Sequence, residues 1–266
     1  MLARRLRQLW RVPAICLWLG VGLILAMIVL ALHRWRPEQT AVWQQRLMRH
    51  WMQGLLVLLP LQITVHGQVA QGTHLLVSNH VSWLDIALIA AHAPVHFLSK
   101  AEVRHWPVIG LLAQAAGTLF IQRGAGSGTA LQGELGKALG NGHSLVIFAE
   151  GTTTLGDRVR AFHGRLLSCA IDTGTPIQPI ALRYRCQGQP ARQAAFIDDD
   201  EFSRHLLNLL GSETLQVELY FLPPQASTDR NRNQLARETH AAVTQALGLD
   251  CKLIEDAPAV LLSSAA

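Results

Sequence analysis

The sequence predicts an α/β domain with a largely parallel central sheet flanked by helices, preceded by an N-terminal membrane-anchoring helical segment. From residue 73 onward, short apolar runs alternate with longer segments of helical character, which is typical of a parallel sheet covered on both faces. Residues 12–32 are apolar and uncharged, matching the roughly 20 residues that a bilayer-spanning helix needs. The 266 residues, 50% of them apolar, are enough for one sizeable domain plus an anchor.

The stretch at 12–32 is expected to be a retained anchor rather than a cleaved signal peptide. Signal peptides have an apolar core of about 7–15 residues and a small-residue cleavage site, whereas this stretch is longer and is followed by HRWR. Arginines lie on both sides of it, so the distribution of positive charge barely decides its orientation. They are Arg4, Arg5, Arg7 and Arg11 before it, and Arg34 and Arg36 after it.

A second apolar stretch, residues 52–63, contains Pro60 and is too short to span a bilayer. It is either an interfacial helix, with Arg49 and Trp51 at the headgroup level, or a core helix of the following domain, and the sequence leaves both open. The predicted division of the chain is 1–66 for the anchor and interfacial helix, 67–256 for the α/β domain, and 257–266 for a disordered tail.

The α/β domain is predicted from its short apolar runs and the segments between them. Predicted strands occupy 74–78, 96–99, 118–122, 144–149, 177–183 and 215–222. Predicted helices occupy 83–92, 127–140, 163–173, 200–210 and 229–247. Because proline donates no ladder hydrogen bond, Pro176 and Pro179 predict that the strand at 177–183 lies at an edge or an end of the sheet.

The net charge of +5 and the four cysteines argue against several classes of function. Basic residues form no run interleaved with aromatic residues, so nucleic acid is not an expected partner, and an anionic membrane surface fits better. Since no C-x-x-C spacing occurs, neither a disulfide framework nor a zinc site is expected. No metal or cofactor is predicted, and the sequence lacks the G-x-S-x-G, H-E-x-x-H and P-loop motifs.

The segment NHVSWLD, residues 79–85, contains the first candidate site. It follows a strand-like run, and active sites of α/β sheets gather at the carboxyl ends of strands. An imidazole there can take a proton from an attacking hydroxyl near neutral pH, and a carboxylate can fix its tautomer. His80 and Asp85 are the candidate pair, and their side chains meet only if the chain turns between them.

The same segment also has a purely structural interpretation. Ser82 and Asp85 have the spacing of a capping box, in which the serine caps a helix and the acid reaches back to the backbone. His80 would then be an ordinary loop histidine. Taken alone, the segment favours this interpretation.

The segment FAEGTTT, residues 148–154, places Glu150 at the end of an apolar strand. Gly151 allows close approach of the backbone, and the neighbouring N–H groups and threonine hydroxyls are suited to an anionic or hydroxyl-rich headgroup. The alternative is an ordinary strand end with a turn.

Two further segments give weaker signals. In GTLFIQRG, residues 117–124, Arg123 follows a buried strand and is suited to a phosphate or carboxylate, although a single arginine of this kind is more often in a structural ion pair. TPIQPIALRY, residues 175–184, carries no evident chemistry.

In this order and spacing, the four segments resemble the lysophospholipid acyltransferase family, of the 1-acylglycerol-3-phosphate acyltransferase (PlsC) type. Its signature is N-H-x4-D, then G-x-(I/L/F)-(F/I)-I-x-R, then F-x-E-G-T, then a P-I-x-P strand, and the likeness covers residues 70–185. Because four ordered motifs agree, the catalytic interpretation of His80 and Asp85 is preferred over the capping one. The matching residues are Asn79, His80 and Asp85, 117–123, 148–152 and 176–179.

The resemblance implies an O-acyltransferase in which His80 is the general base and Asp85 orients it. The free hydroxyl of a lysolipid would attack an acyl thioester, either acyl-CoA or acyl carrier protein, without a covalent enzyme intermediate. Membrane lipids would be partners, with the enzyme single-pass or monotopic in the cell inner membrane and its domain on the cytoplasmic face. The implied acceptor-site residues are Arg123, Glu150, Gly151, Thr152 and Thr153.

One position departs from the family pattern. Phosphatidate-forming members carry E-G-T-R-S, and Thr153 stands where that arginine would be. An arginine there would be a phosphate ligand, so its replacement disfavours lysophosphatidic acid as acceptor, and the chain is similar to bacterial members that act on lyso-ornithine lipid. The alternative function is a non-catalytic membrane lipid-binding protein that retains the fold.

Overall fold

The structure is a computed structural model that describes residues 2–121, 127–197 and 200–249. Its helices are α1 Leu2–Trp35, α2 Pro37–Leu58, α3 Leu84–His92, α4 Ile109–Ala115, α5 Ser127–Gly140, α6 Ser168–Thr173, α7 Phe202–Gly211 and α8 Arg232–Ala246. Its strands are β1 Leu61–Gly67, β2 Leu75–Ser78, β3 His96–Lys100, β4 Leu119–Ile121, β5 Leu145–Phe148, β6 Ile177–Cys186, β7 Gln189–Pro190 and β8 Leu215–Phe221. The predicted tail, 257–266, lies outside the described residues.

The strands form one sheet in the order β1-β8-β6-β2-β5-β3-β4, with β7 beside β6. Neighbours are parallel except where β6 pairs with β7 and β8. This confirms the largely parallel sheet. β1 was not predicted, and its whole length pairs with β8, from Leu61 opposite Leu215 to Gly67 opposite Phe221. Residues 61–66, grouped above with the anchor, therefore belong to the sheet.

Strand β6 is an interior strand, between β2 and β8, so the prediction of an edge position is wrong. Its prolines are tolerated because they lie at the start of the strand. Pro176 precedes β6, and Pro179 lies before the β6–β8 ladder, which begins at Ile180 opposite Phe221. Pro179 therefore interrupts no ladder bond with β8, while its carbonyl still accepts a hydrogen bond from the N–H of Leu222 at 3.0 Å.

The sheet lies between two helical layers, and the residues of β2 show how. Successive side chains of a strand point to opposite faces. Leu75 and Val77 pack with residues of α5, α6 and α8, while Leu76 packs with residues of α2, α3 and α7. Both faces of β2 are thus buried, which explains its continuous apolar sequence.

Helices α1 and α2 form an antiparallel hairpin that packs tightly through tryptophan and glycine. The Nε1–H groups of Trp18 and Trp51 each donate to the other residue's carbonyl, at 3.1 and 3.2 Å. The glycines opposite them leave room for the rings: a Cβ on Gly22 would lie 2.6 Å from Trp51, and one on Gly54 would collide with Trp18. Trp51 is therefore buried against α1, and the apolar residues that follow it form the last turns of α2.

Helix α1 is the one helix of the described residues long and apolar enough to cross a bilayer by length and composition. Polar side chains near its N-terminus donate to carbonyls in and just after the last turns of α7, where the last four carbonyls of the helix have no partner within it. Arg7 donates to Gly211, Gln8 to Leu207, and Arg11 to Leu210 and Ser212, at 2.7–3.3 Å. The arginines that precede the apolar stretch thus join α1 to the α/β domain.

Candidate active site

The loop that carries His80 begins where β2 ends, at Ser78. The side-chain amide of Asn79 donates to the carbonyl of Leu182 at 2.9 Å and accepts from the N–H of the same residue at 2.8 Å. These two bonds tie the loop to β6. Asn79 is buried, so the position of the following residue is fixed by the sheet.

His80 and Asp85 meet because the chain turns between them before α3 begins at Leu84. His80 Nδ1 lies 2.8 Å from Asp85 Oδ2. The same oxygen accepts hydrogen bonds from the N–H groups of Val81 and Ser82, at 2.7 and 3.0 Å. Asp85 is fully buried, whereas the His80 side chain is 19% exposed, so the histidine can be reached from outside while its partner cannot.

Of the two hydrogen bonds that define a capping box, only the one made by the acid is present. Asp85 does reach back to the N–H of Ser82, as the acid of a capping box does. The hydroxyl of Ser82 is buried and has no hydrogen-bond partner among the described residues, so the reciprocal cap is missing. Asp85 therefore both fixes the start of α3 and contacts His80.

Tyr184, near the end of β6, is a further member of the site. Its hydroxyl donates to Asp85 Oδ1 at 2.5 Å, and its side chain is buried. Burial and the adjacent Asp85 charge raise the pKa of Tyr184 well above its usual value of 10. The segment 175–184, which carried no evident chemistry in the sequence, thus contributes a contact to the candidate site. No local sequence signal marked this tyrosine, because its partner is 99 positions away.

The FAEGTTT segment lies beside His80 because β5 is the parallel neighbour of β2, with Phe148 opposite Ser78. The Phe148 ring stacks on the His80 ring, with centroids 3.8 Å apart. Glu150 is 2% exposed, and its two oxygens accept the N–H groups of His80 and Arg160, both at 2.7 Å. Glu150 therefore holds the main chain of the site in position.

Burial raises the pKa of Glu150 to about 7, although the two main-chain N–H donors and the His80 ring favour its charged form. A buried carboxylate is costly, and its hydrogen bonds offset only part of that cost. The group consequently titrates near neutral pH.

The loop after Glu150 follows the rim of the site. Gly151 has a φ of +73°, a conformation that favours glycine, and a Cβ there would lie 3.3 Å from the His163 ring and crowd it. Thr152 is exposed and Thr153 is half-buried. The N–H of Thr154 donates to the His80 carbonyl at 2.9 Å. Arg123 lies outside the described residues.

The catalytic role of His80 and Asp85 and the acceptor-binding role of the residues from Glu150 to Thr153 stay predictions, as does the absence of a metal. Within the described ranges, no group of three or more His, Cys, Asp or Glu side chains is arranged to hold a metal ion.

Comparisons with known proteins identify the family. The family model described as Acyltransferase matches residues 62–183. A lyso-ornithine lipid O-acyltransferase of Pseudomonas aeruginosa is 44% identical over 243 residues, which cover 91% of this chain and 94% of that protein. The chain belongs to the lysophospholipid acyltransferase family. It is therefore an acyltransferase, as the four motifs indicated.

Further relatives differ in how much of this acyltransferase they match. A lyso-ornithine lipid O-acyltransferase of Rhodobacter capsulatus is 33% identical over 254 residues, 93% of this chain and 92% of that protein. A 1-acyl-sn-glycerol-3-phosphate acyltransferase of Neisseria gonorrhoeae is 37% identical over 111 residues, 41% of this chain and 44% of that protein. The crystal structure of the 1-acyl-sn-glycerophosphate acyltransferase PlsC from Thermotoga maritima has a TM-score of 0.67 at 18% identity, covering 93% and 97% of the two chains, and thus shares the fold.

Proposed function

We propose that this acyltransferase transfers a fatty acyl chain from an acyl thioester to the free hydroxyl of a lysolipid, with His80 as general base. One observation carries the proposal: a partly exposed imidazole at the end of β2 has its Nδ1 2.8 Å from a buried carboxylate. This pairing fixes the proton on Nδ1 and leaves Nε2 as the basic nitrogen.

His80 serves both proton transfers of the proposed reaction. Nε2 of His80 removes the proton of the acceptor hydroxyl as its oxygen attacks the thioester carbonyl carbon. The new C–O bond forms, the C–S bond breaks, and the imidazolium returns the proton to the departing thiolate. Asp85 stabilises the imidazolium in between, since its charge lies 2.8 Å away. The donor is an acyl-CoA or an acyl carrier protein.

A lipid substrate is supported by a cavity of about 240 Å³ between the α1–α2 hairpin and the α/β domain. Its wall is largely apolar, and Trp83, three residues after His80, forms part of it. An acyl chain that enters from the membrane would occupy such a cavity. Lining residues from α1, α2, α4 and α7 include Ala26, Leu55, Leu112 and Leu206.

The contacts of α1 support a monotopic attachment over a single-pass span. Its first turns bond to α7, and Val29, near its other end, faces the same cavity as Leu112 of α4. A spanning helix would carry one end across a hydrocarbon layer of about 30 Å, away from the domain. Apolar residues on the outer face of the hairpin would enter the membrane from the cytoplasmic side: Leu17, Ile24, Met27, Leu32, Trp43 and Val57.

We further propose lyso-ornithine lipid as the acceptor. Relatives that align over nine-tenths of this chain bear that activity in their names. Thr153 offers a hydroxyl where phosphatidate-forming members have an arginine, and a zwitterionic headgroup needs no bidentate guanidinium, unlike a phosphomonoester with close to two negative charges. A non-catalytic lipid-binding role is disfavoured by the intact pairing of His80 with Asp85.

The test is a side-by-side assay of purified enzyme in detergent, with one labelled acyl thioester and either lyso-ornithine lipid or lysophosphatidic acid. We expect faster transfer to lyso-ornithine lipid, and Thr153→Arg should raise the relative rate with lysophosphatidic acid. Thr228→Arg, on an exposed threonine that lies next to Gly174 and outside the acceptor-site segment, is the matched control. A strong preference of the wild type for lysophosphatidic acid that Thr153→Arg leaves unchanged would rule out that residue 153 determines the acceptor headgroup. Absence of transfer to either acceptor would count against the proposed function.

A further inference from the structure

The two oxygens of Asp85 have different partners. Oδ2 accepts from His80 Nδ1 and from two main-chain N–H groups, whereas Oδ1 accepts from the hydroxyl of Tyr184. Each bond is 2.5–3.0 Å long. The orientation of this carboxylate is thus determined by donors on both sides, and one of those donors comes from a different strand.

Tyr184 is itself held firmly. Two residues earlier, Leu182 is bonded through its N–H and its carbonyl to the side chain of Asn79. The carbonyl of Tyr184 accepts from the N–H of Ala191 at 3.0 Å. Since Asn79 directly precedes His80, one pair of bonds fixes the distance between β6 and the histidine loop, and this brings the hydroxyl to Asp85.

We propose that Tyr184 is a positioning residue for the His80–Asp85 pair, holding Oδ1 so that Oδ2 stays directed at His80 Nδ1. The inference rests on the proposed function and deepens it. A carboxylate held at one oxygen only can rotate, and the imidazole then loses its single orientation. In addition, a buried oxygen without a donor attracts the proton shared with the imidazole more strongly.

The hydroxyl is suited to this role because it keeps its proton. Desolvation and the Asp85 charge hold the pKa of Tyr184 well above 10, so it remains a donor at every pH at which a histidine base works. Glu150, the other carboxyl next to His80, accepts from main-chain N–H groups, and within the described residues no hydrogen bond joins it to the tyrosine hydroxyl.

The test is Tyr184→Phe, which removes the hydroxyl and keeps the ring. Because hydrogen bonds to charged groups are the strong ones, we expect kcat to fall by about 10–100-fold, with KM for donor and acceptor little changed. The acid limb of the kcat/KM profile should move to higher pH, since the pair now retains its proton more tightly. The chain's other tyrosine provides the matched control: Tyr220→Phe removes a hydroxyl bonded to Arg183 and Glu218 on β6 and β8 and should leave the profile in place.

A readout without turnover separates this proposal from the proposed function. The His80 ring is followed by NMR with ¹⁵N-labelled histidine, its signals being assigned from their loss in His80→Ala. In Tyr184→Phe its titration should shift to higher pH, and in Tyr220→Phe it should not. An unshifted titration together with an unchanged kcat/KM profile would overturn the role of Tyr184. A shifted titration in an enzyme that transfers no acyl group would support the coupling and reject the proposed function.

A double substitution gives a second criterion. If Tyr184 acts through His80, adding Tyr184→Phe to His80→Ala should change the residual rate less than twofold, because the interaction it serves is already gone. The same fold-loss in both backgrounds would show that the tyrosine only supports the fold, and would overturn the proposal.

Discussion

Replacement of Glu150 by glutamine should change how the stability of the enzyme depends on pH. The pKa of Glu150 rises from its usual 4.5 to about 7 on burial, so between these values the folded chain holds a proton that the unfolded chain has released. The free energy of unfolding therefore falls as pH rises through this window. At about 1.4 kcal/mol per pKa unit, the loss amounts to about 3 kcal/mol.

Glu150→Gln removes this pH dependence, because glutamine does not ionise. It also offers one oxygen where the carboxylate offers two, so either the N–H of His80 or that of Arg160 loses its acceptor. An unpaired buried donor costs about 1–3 kcal/mol at every pH. The variant should consequently be less stable than wild type at pH 5, and this difference should vanish or reverse by pH 8, because only wild type loses about 3 kcal/mol in between.

The assay is thermal unfolding in detergent from pH 4.5 to 8, followed by tryptophan fluorescence. For a chain of this size, about 3 kcal/mol corresponds to a change of about 6–12 °C in Tm, so the Tm of wild type minus that of Glu150→Gln should fall by about that amount between pH 5 and 8, to zero or below. Glu134→Gln, on an exposed glutamate of α5, is the control and should follow wild type throughout. Parallel Tm curves for wild type and Glu150→Gln would refute the assignment of a carboxyl titrating near pH 7.

Three other outcomes are expected. Asp85→Asn should lower kcat by about 10³–10⁴-fold in an enzyme that still folds, because it removes the charge that fixes the tautomer of His80; a loss below tenfold would contradict that role. Gly22→Leu should reduce the free energy of unfolding by about 1–3 kcal/mol, since its Cβ would lie 2.6 Å from Trp51. Gly20→Leu should not, because a Cβ on Gly20 would have no neighbouring atom within 4 Å. Equal Tm values for the two variants would refute the packing argument. The full-length protein should stay with membranes in high salt and at alkaline pH and require detergent for extraction, and release by salt alone would contradict the apolar anchor.

The part of the site nearest to the sheet could be predicted from the sequence. His80 and Glu150 each follow an apolar strand-like run, and the ends of parallel strands meet at one edge of a sheet. β2 and β5 do pair, with Ser78 opposite Phe148, and this register places the histidine beside the glutamate. The spacing of five residues also indicated that His80 and Asp85 meet only if the chain turns between them.

Other features depend on pairings that local patterns do not encode. β1 was missed because the apolar residues at the end of α2 continue through Pro60 into the strand, so no change of period marks its start. The edge position predicted for β6 failed because Pro179 lies before the ladder with β8, which only the register reveals. Tyr184 was overlooked because its contact with Asp85 depends on how β6 is held at Leu182.

The central claim, that His80 is the general base of an acyl transfer, is tested most directly by the turnover of purified His80→Ala. Wild type, His80→Ala and the control His50→Ala, on an exposed histidine of α2, are assayed with the same labelled thioester and lysolipid. A positioned base contributes about 10²–10⁴-fold in rate, so turnover should fall by that factor in His80→Ala alone, with Tm and membrane association unchanged. Near-wild-type turnover of a folded, membrane-bound His80→Ala would contradict the account.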